Sequence, residues 1–552
     1  MSSDRTIVDA LRSTGADIAV AALRDHGVDT IFGLPGIQLD ALFSALYDAA
    51  GRPKVIHFRH EQGAAYAALG YAQASGRAGV YTVVPGPGFL NTAAALATAQ
   101  ACGAPVLALI GQIETAAIGR GRGELHEIPD QTGILRGLTK WSTLVSDPGQ
   151  VSSAIGQAFH HLSRGRTGPV GIEIPPDVLA QSVPQPPNAG PAPSDPHISQ
   201  VDPEAVMAAA AMLASARSPL IVVGGGALDA GHEIERLSDR LQAPIASHRQ
   251  GRGVIASDRP YALNLHETSR IWRDVDVVLA IGTRMHIQRK LWGLRPGQKL
   301  IHVDVDRVQM LRGGSPDIAI VAPARDAAAA LLDTLERIGD PRPSIKESLV
   351  RLKAASTAQF DRRVGPQMAY VRALRAALPD ETILVADYTQ IAYVATAAFP
   401  VLAPRRLLTP GYQGTLGFGY ATALGAQVSC PNSPVVALCG DGGFLFTAME
   451  LATAIQHGIN VIVVVFNDSV FGNVQRMQRD AYGGKVIATH LRNPDFVSLA
   501  ESFGIRGYRV GDPMALGAAM KEAVRAREPA LIEVTMAADL PDPWPLLAPR
   551  LS

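Results

Sequence analysis

Cysteine is scarce, with three in 552 residues, at Cys102, Cys430 and Cys439. That number excludes a disulfide framework, and no CxxC pair suggests structural zinc. Net charge is missing too, because 50 Lys and Arg balance 50 Asp and Glu. A neutral chain has no overall field to gather DNA or an anionic membrane, which argues against a general nucleic-acid binder. No run approaches the ~18 uninterrupted apolar residues that a membrane helix needs. The opening stretch, MSSDRTIVDALRSTGADIAVAALRDHG, carries acids and bases throughout. It has no apolar core like a signal peptide's, so a soluble cytoplasmic protein is expected. What is present is an Ala-rich globular composition, 47% AVILMFWYC and 18% charged, unlike that of a disordered chain. At roughly 150 residues per domain the length predicts three to four domains, a size that suggests an enzyme.

The apolar bursts are short. Thr30–Phe32, Val80–Val84, Val106–Ile110 and Val170–Ile174 alternate with longer Ala-rich segments of helical character. Short buried strands alternating with helices predict a parallel α/β sheet. The Pro-rich stretch Pro175–His197 then predicts a linker. A second block has strand-like runs at Leu220–Gly226, Val275–Gly282 and Leu300–Asp306, and a seam follows from Pro341. A third block predicts strands at Thr382–Ala386, Val435–Cys439, Asn460–Phe466 and Ala530–Val534, with a helix at Thr447–Gln456. Three doubly wound parallel-sheet domains of α/β class are therefore expected. Periodicity alone does not show whether the first and third are related.

The most informative stretch is VVALCGDGGFLFTAMELATAIQHGINVIVVVFNDSVFGN. One buried strand ends at Gly440-Asp441-Gly442-Gly443 and a second ends at Asn467-Asp468. In a parallel sheet both ends lie on the ligand-binding edge, so Asp441 and Asp468 can converge there. Two carboxylates beside glycine N–H groups and a helix start suit Mg2+ together with a phosphate. GDG alone is common in turns, and Asn-Asp after a strand is ordinary turn chemistry. The strand-helix-strand spacing makes the combination specific. Upstream, VIHFRHEQGAAYAALGYAQASGRAGVYTVVPGPGFLN puts Glu61 at the head of a helix packed with Ala and Gly. A carboxylate there would be largely desolvated and suited to share a proton with a ring nitrogen. It also fits a Glu favoured simply by the helix dipole.

GDG, then 24 residues, then an Asn pair resembles the thiamine diphosphate signature. The sequence is similar over nearly its whole length to the acetohydroxyacid synthase (acetolactate synthase)/benzaldehyde lyase group of such enzymes. It departs at one ligand, Asp468, where the family has the second Asn. The resemblance implies a pyrimidine-binding domain over 1–180, a linker over 181–200 and a central domain over 201–340. A linker over 341–365 and a diphosphate- and Mg2+-binding domain over 366–552 complete the division. It implies Asp441, Asp468 and the Val470 carbonyl as metal ligands, with Gly442 and Gly443 at the diphosphate. It implies that Glu61 hydrogen-bonds N1′ of the cofactor's aminopyrimidine, near Pro87 and Asn91. The segment GYQGTLGFGYATALGA matches the element beneath the bent cofactor. Gly414 would offer its carbonyl there and Leu416 would be the apolar wedge, although Leu416 taken alone reads as core. Gln390 matches a diphosphate-binding Gln. In the family the activating Glu and the diphosphate site come from different subunits, which implies a homodimer at least and a homotetramer as the expected assembly.

The substrate pocket is less closely matched. GLPGIQLDALF resembles the benzaldehyde lyase loop and places Gln38 where that group has a catalytic His. ELHEIPDQ resembles an acetohydroxyacid synthase segment with one residue inserted and puts His126 at a pocket Gln, although a surface-loop His fits as well. Arg120 and Arg122 in GRGRGELHE suit a substrate carboxylate. Met477 stands where acetohydroxyacid synthases carry a substrate-selecting Trp. FAD is possible in the central domain, since Gly224–Gly226, Arg284 and Asp306 fall at matching places. However, GTRMHIQR departs from the family segment and the glycine triplet is not GxGxxG. None of His60-Glu61, His126-Glu127, His232-Glu233 or His266-Glu267 continues into HExxH. The resemblance implies a carboligase or decarboxylase of 2-oxo acids. Alternatives are a lyase of 2-hydroxy ketones or 2-hydroxyacyl thioesters, and a catalytically silent relative.

Overall fold

In a parallel sheet covered on both faces every position is buried, so strands read as unbroken apolar runs rather than alternating ones. The computed structural model, which describes residues 12–184, 201–338 and 342–551, has three such sheets of six strands. The first contains β1 Thr30–Gly33, β2 Lys54–His57, β3 Gly79–Val83, β4 Val106–Gly111, β5 Trp141–Leu144 and β6 Val170–Ile174. Its order is β2-β1-β3-β4-β6-β5, with every pair parallel. The second contains β7 Pro219–Val223, β8 Ile245–Ser247, β9 Ala262–Leu263, β10 Val277–Ile281, β11 Lys299–Asp304 and β12 Ile318–Val321. It is ordered β9-β8-β7-β10-β11-β12. The third contains β13 Ile383–Ala386, β14 Leu407–Leu408, β15 Val435–Gly440, β16 Val461–Asn467, β17 Arg506–Val510 and β18 Ala530–Thr535. Its order is β14-β13-β15-β16-β18-β17, the winding of the first sheet repeated.

The two seams read from the sequence are more ordered than loose chain. Pro176–Ala180 is a short helix with proline in its first turn, where a missing N–H costs nothing. Ser182–Pro184 pairs antiparallel with Arg12–Thr14. From 185 to 200 the Pro-rich stretch lies outside the described residues, as do 1–11 and 339–341. The seam expected over 341–365 is helical from Lys346, in a helix running to Ala377 with a break at Val364 (φ −133°, ψ 38°). Pro366 explains the break, since it offers no N–H and forces the preceding turn out of helical geometry. Among the described residues no helix is long and apolar enough to cross a membrane.

The described chain packs as two compact units. The first holds residues up to 184 with Pro410–Asn432 and Leu445–Val461, and the second holds the rest. Three helices of the first unit matter below: α1 Glu61–Ser75, α2 Phe418–Ser429 and α3 Leu451–His457. The helix expected over Thr447–Gln456 begins instead as a 3-10 turn, Ala448–Glu450, before α3. Contact between α1 and α2 is backbone to backbone. A Cβ on Gly70 would stand 1.9 Å from the Thr422 carbonyl oxygen, and one on Gly425 1.8 Å from that of Ala67. Small residues on both helices permit this approach, so α1 is fixed in depth by main chain rather than by flexible side chains.

Gly425→Val forces branched carbons onto the Ala67 carbonyl, and overpacking of this kind costs about 1–3 kcal/mol or more. The expected fall in the thermal midpoint by calorimetry is about 5 °C or more. Gly137→Ala, on helix Gln131–Leu138 with nothing within 4 Å of the new methyl, is expected to leave it unchanged or raise it.

Candidate active site

In the first unit the loops at the carboxyl ends of β1, β2, β3 and β4 carry Gln38, Glu61, Pro87 with Asn91, and His126 respectively. Chain leaving β2 turns at Phe58, whose N–H donates to the Gly33 carbonyl (3.1 Å), and enters α1 at Glu61. His60 caps the helix, its ring Nδ1 accepting from Gln62 N–H (3.1 Å). The Glu61 side chain is 16% exposed. Its Oε2 accepts from Asn91 Nδ2 (2.9 Å), and Gly88 leaves room beside Oε1, which lies 3.6 Å from where a Cβ would stand. Asn91 and Gly88 sit on the short helix Pro87–Asn91, opened by Pro87 after the left-handed Gly86 (φ 58°). Thus the helix Pro87–Asn91 is brought against Glu61.

Gln38 and His126 also meet. Gln38 is buried, its Nε2 donates to the Leu125 carbonyl (3.0 Å), and its Oε1 faces His126 Nδ1 at 3.1 Å. With the amide oxygen as acceptor, Nδ1 carries the proton and Nε2 is left to act. His126 itself holds φ +70°, a region costly for a non-glycine residue. Glu127 fixes that loop by gathering the N–H groups of Gly121, Gly123 and Glu124 (2.7–3.0 Å), while Arg120 and Arg122 are exposed. Gly414 (φ 67°) is exposed and Leu416 half-buried, in a loop tied to the same unit by Thr415 Oγ1 against Thr98 Oγ1 (3.2 Å).

The second unit gathers the acidic residues. Asp441 opens a short helix after β15 and is 3% exposed. Its Oδ1 accepts from Gly442 N–H (2.8 Å), and Oδ2 accepts from Ser469 N–H (2.9 Å) and Asn493 Nδ2 (2.7 Å). Ser469 reaches it because its own φ is +57°, which reverses the chain between Asp468 and Val470. Gly442 has no space for a side chain, since a Cβ would meet Phe471 at 2.5 Å. Asp468 Oδ1 accepts weakly from Val470 N–H at 3.3 Å, and its own backbone N–H also draws on the carboxylate. Gly472 leaves room between Asp468 Oδ2 and Gln390 Nε2, each 3.3 Å from its absent Cβ. Gln390 is buried and its Oε1 has no hydrogen-bond partner among the described residues. Burial raises Asp441 above the usual carboxylate range, against the pull of its N–H donors. Burial, then the charge of Asp441, pushes Asp468 up to about 7. Two desolvated carboxylates with a donor-starved neighbour have the chemistry of a site for a hard cation and its phosphate. Asn467 is not part of that pair, because its Nδ2 donates to Glu533 (2.8 Å) and its Oδ1 accepts from Asn493 (2.9 Å).

Two residues were not legible from motifs. Asn493 lies 25 residues past Asp468 and bridges Asp441 and Asn467. Gln131 donates to Glu173 (2.8 Å) and accepts from Gly86 N–H (2.8 Å), anchoring the PGPG turn to a fully buried acid. Met477, in the family's selecting position, is 56% exposed.

Three family models match the chain: the N-terminal thiamine pyrophosphate binding domain over 13–134, the central domain over 206–331, and the C-terminal binding domain over 387–534. The pyrophosphate and diphosphate names denote one cofactor. A probable acetolactate synthase large subunit of Methanocaldococcus jannaschii is 32% identical over 97% of this chain and 93% of its own. A probable 2-ketoarginine decarboxylase of Pseudomonas aeruginosa is 35% identical over 89% and 88%. The acetolactate synthase isozyme 3 large subunit of Escherichia coli is 30% identical over 95% of both.

A carboxylate whose folded pKa is raised keeps its proton longer in the fold than in the unfolded chain. Its contribution to stability is therefore present at low pH and lost as pH rises through about 7. Asp468→Asn is expected to raise the thermal midpoint of cofactor-free protein at alkaline pH. That gain over the parent should shrink steadily toward pH ~4, as followed by differential scanning fluorimetry.

Proposed function

This chain belongs to the thiamine pyrophosphate enzyme family, and on that premise we propose that it is a thiamine diphosphate- and Mg2+-dependent carboligase or decarboxylase of small 2-oxo acids, acetolactate synthase-like in its chemistry. The observation that carries the reading is Glu61, held at the head of α1 by Asn91 within the stretch matched by the N-terminal binding-domain model. The relatives that match over most of their length are named as acetolactate synthases and a probable 2-ketoarginine decarboxylase, names that support this reading.

The chain's residues divide the work. Asp441 and Asp468 with the Val470 carbonyl would hold Mg2+, and Gln390 with Gly443 would hold the diphosphate, with Gly442 beside it spending its N–H on Asp441 Oδ1. The donor Gln390 Nε2 beside the space that Gly472 leaves next to Asp468 Oδ2 fits a phosphate oxygen, and Gln390 Oε1, buried without a partner among the described residues, fits the cation that accompanies it. Glu61, with Pro87 and Asn91 around it, would hold or release a proton at the cofactor's pyrimidine, and Gly414 through its carbonyl and Leu416 through its apolar side chain would position the bound rings. When bound, the cofactor supplies a nucleophilic carbon able to take a carbonyl and stabilise the charge left by loss of CO2. His126 exchanges a proton with substrate oxygen through Nε2, and Gln38 orients it through Nδ1.

FAD gains no support from the central domain. Gly224 and Gly226 spend their N–H groups on the carbonyls of Ile281 and Gly282, and Asp306 caps the helix Arg307–Leu311. We place the protein in the cytoplasm, in keeping with three cysteines in 552 residues, too few for a disulfide framework. The smallest competent form we propose is a homodimer, with a homotetramer the expected assembly, in which Glu61 of one chain serves the cofactor held by its partner.

Incubating cofactor-loaded protein with a panel of 2-oxo acids, alone and paired with a second carbonyl compound, and identifying products by mass spectrometry tests the activity. CO2 release with a ligated product is expected, and release of the bare aldehyde alone would assign decarboxylation without ligation. Glu61→Gln should lower turnover about 100-fold or more with an unchanged circular dichroism spectrum; full turnover would reject the assignment. Mixing Glu61→Gln with Asp441→Ala chains, after dissociation and reassembly, is expected to restore activity that neither has alone.

A further inference from the structure

Glu450 lies eleven residues before the start of β16 and belongs to no motif that defines the site, yet it is fully buried. Its carboxylate accepts three donors: Arg59 N–H to Oε2 (3.1 Å), His60 N–H to Oε1 (3.0 Å) and the Thr453 hydroxyl to Oε2 (2.5 Å). These two amides are the residues immediately before Glu61. They need a partner from elsewhere, because β2 is an edge strand that has ended at His57 and a buried N–H left without an acceptor is costly. Room for the acid comes from Gly63, where a Cβ would stand 2.4 Å from Glu450 Oε1.

The surrounding contacts run in the same direction. Arg59 Nη2 donates to Gln456 Oε1 (2.8 Å), and the His57 and His457 rings meet edge to face at 4.9 Å. Glu450, Thr453, Gln456 and His457 thus present one helical face to the β2–α1 turn. A carboxylate suits the central place because it accepts on both oxygens. An amide would turn an NH2 group toward one of two N–H donors, and an aliphatic side chain would leave both without a partner. The position at the head of α1 also favours a negative charge.

From this geometry we propose that Glu450 is a positioning residue for Glu61. By clamping the amides of Arg59 and His60, it sets the direction in which α1 begins and so the aim of the Glu61 carboxylate. This inference rests on the assignment of Glu61 as the proton-sharing acid, and its test is arranged so that the two fail differently.

The variant is Glu450→Gln in the full-length protein. In cofactor-free protein, hydrogen–deuterium exchange of peptides spanning residues 57–62 is expected to quicken about tenfold or more, with peptides of β4 and β15 unchanged. In loaded enzyme kcat is expected to fall about tenfold while KM for the 2-oxo acid stays within about twofold. The double variant Glu450→Gln/Glu61→Gln should be no slower than Glu61→Gln alone, since both act at one proton. Exchange and kcat both unchanged would overturn the proposal. A general collapse of exchange protection would also overturn it, by making Glu450 a mere pillar of the fold, unless Thr453→Val reproduces the local pattern. That variant keeps the volume and removes only the hydroxyl steadying Oε2, so it must quicken the 57–62 peptides and lower kcat, by less than Glu450→Gln does. If Glu61→Gln itself retained activity, the functional assignment would fall, whereas the exchange result on cofactor-free protein would stand.

Discussion

Two main chains in contact, at Gly70 against Thr422 and Gly425 against Ala67, are the constraint on which the first unit depends. A helix held at backbone distance cannot slide or roll to relieve strain, because no flexible side chain lies between the partners. The head of α1 is therefore fixed in space before any polar group acts. Glu61 inherits that position, and the contacts that refine it (Asn91 on its carboxylate, His60 on the first turn, Glu450 on the two preceding amides) are short-range adjustments to a helix already placed. The Ala- and Gly-rich composition of α1 is the physical counterpart of this task. Bulk would push the helices apart, and a charged face would leave buried charge with no water to solvate it.

The buried acids differ in how their charge is met. Glu173 receives side-chain donors from Gln112, Gln131 and Thr132. Glu450 receives two amides and a hydroxyl, and Asp441 receives two amides and the Asn493 side chain. Burial lifts all three above the ordinary carboxylate range, and their donors pull in the opposite direction. Asp468 is the exception, met among the described residues by a long hydrogen bond from Val470 N–H and its own backbone N–H, with Asp441's charge beside it. An anion left short of donors beside another anion is disfavoured unless something positive joins them, which supports the Mg2+ assignment proposed here. Asp in place of Asn at this position adds a charge that only a cation or a proton can balance.

The winding of the sheets was legible where strands are interior. β4 and β15 are apolar from end to end, and β6 and β16 are so apart from Glu173 and the terminal Asn467, because both faces are covered, and such runs declare themselves. The strands that escaped the sequence reading, β5, β8, β9, β12, β14 and β17, are short or lie at sheet edges. Arg506–Val510, for instance, carries two arginines and no buried residue, and β9 and β14 have two residues each. Edge strands need only one apolar face and one neighbour, so their pattern is weak. Helical order across the second seam was hidden for a different reason. Pro366 marks a break in the chain's direction at Val364, and the polar surface of Lys346–Ala377 has the composition of a linker.

The chain by itself determined the local chemistry: a carboxylate heading an Ala-rich helix, glycines where backbone must approach closely, and a pair of acids at two strand ends. These follow from residue type and spacing over a few tens of positions, within reach of one strand-helix-strand unit. Tertiary structure alone decided which donors meet those acids. Asn493 on Asp441, Glu450 on the amides before Glu61, and Gln38 on His126 join residues 52 to 391 positions apart. No periodicity encodes such pairs, because a hydrogen bond between distant segments is fixed by the meeting of two packed elements and leaves no mark on the sequence near either partner.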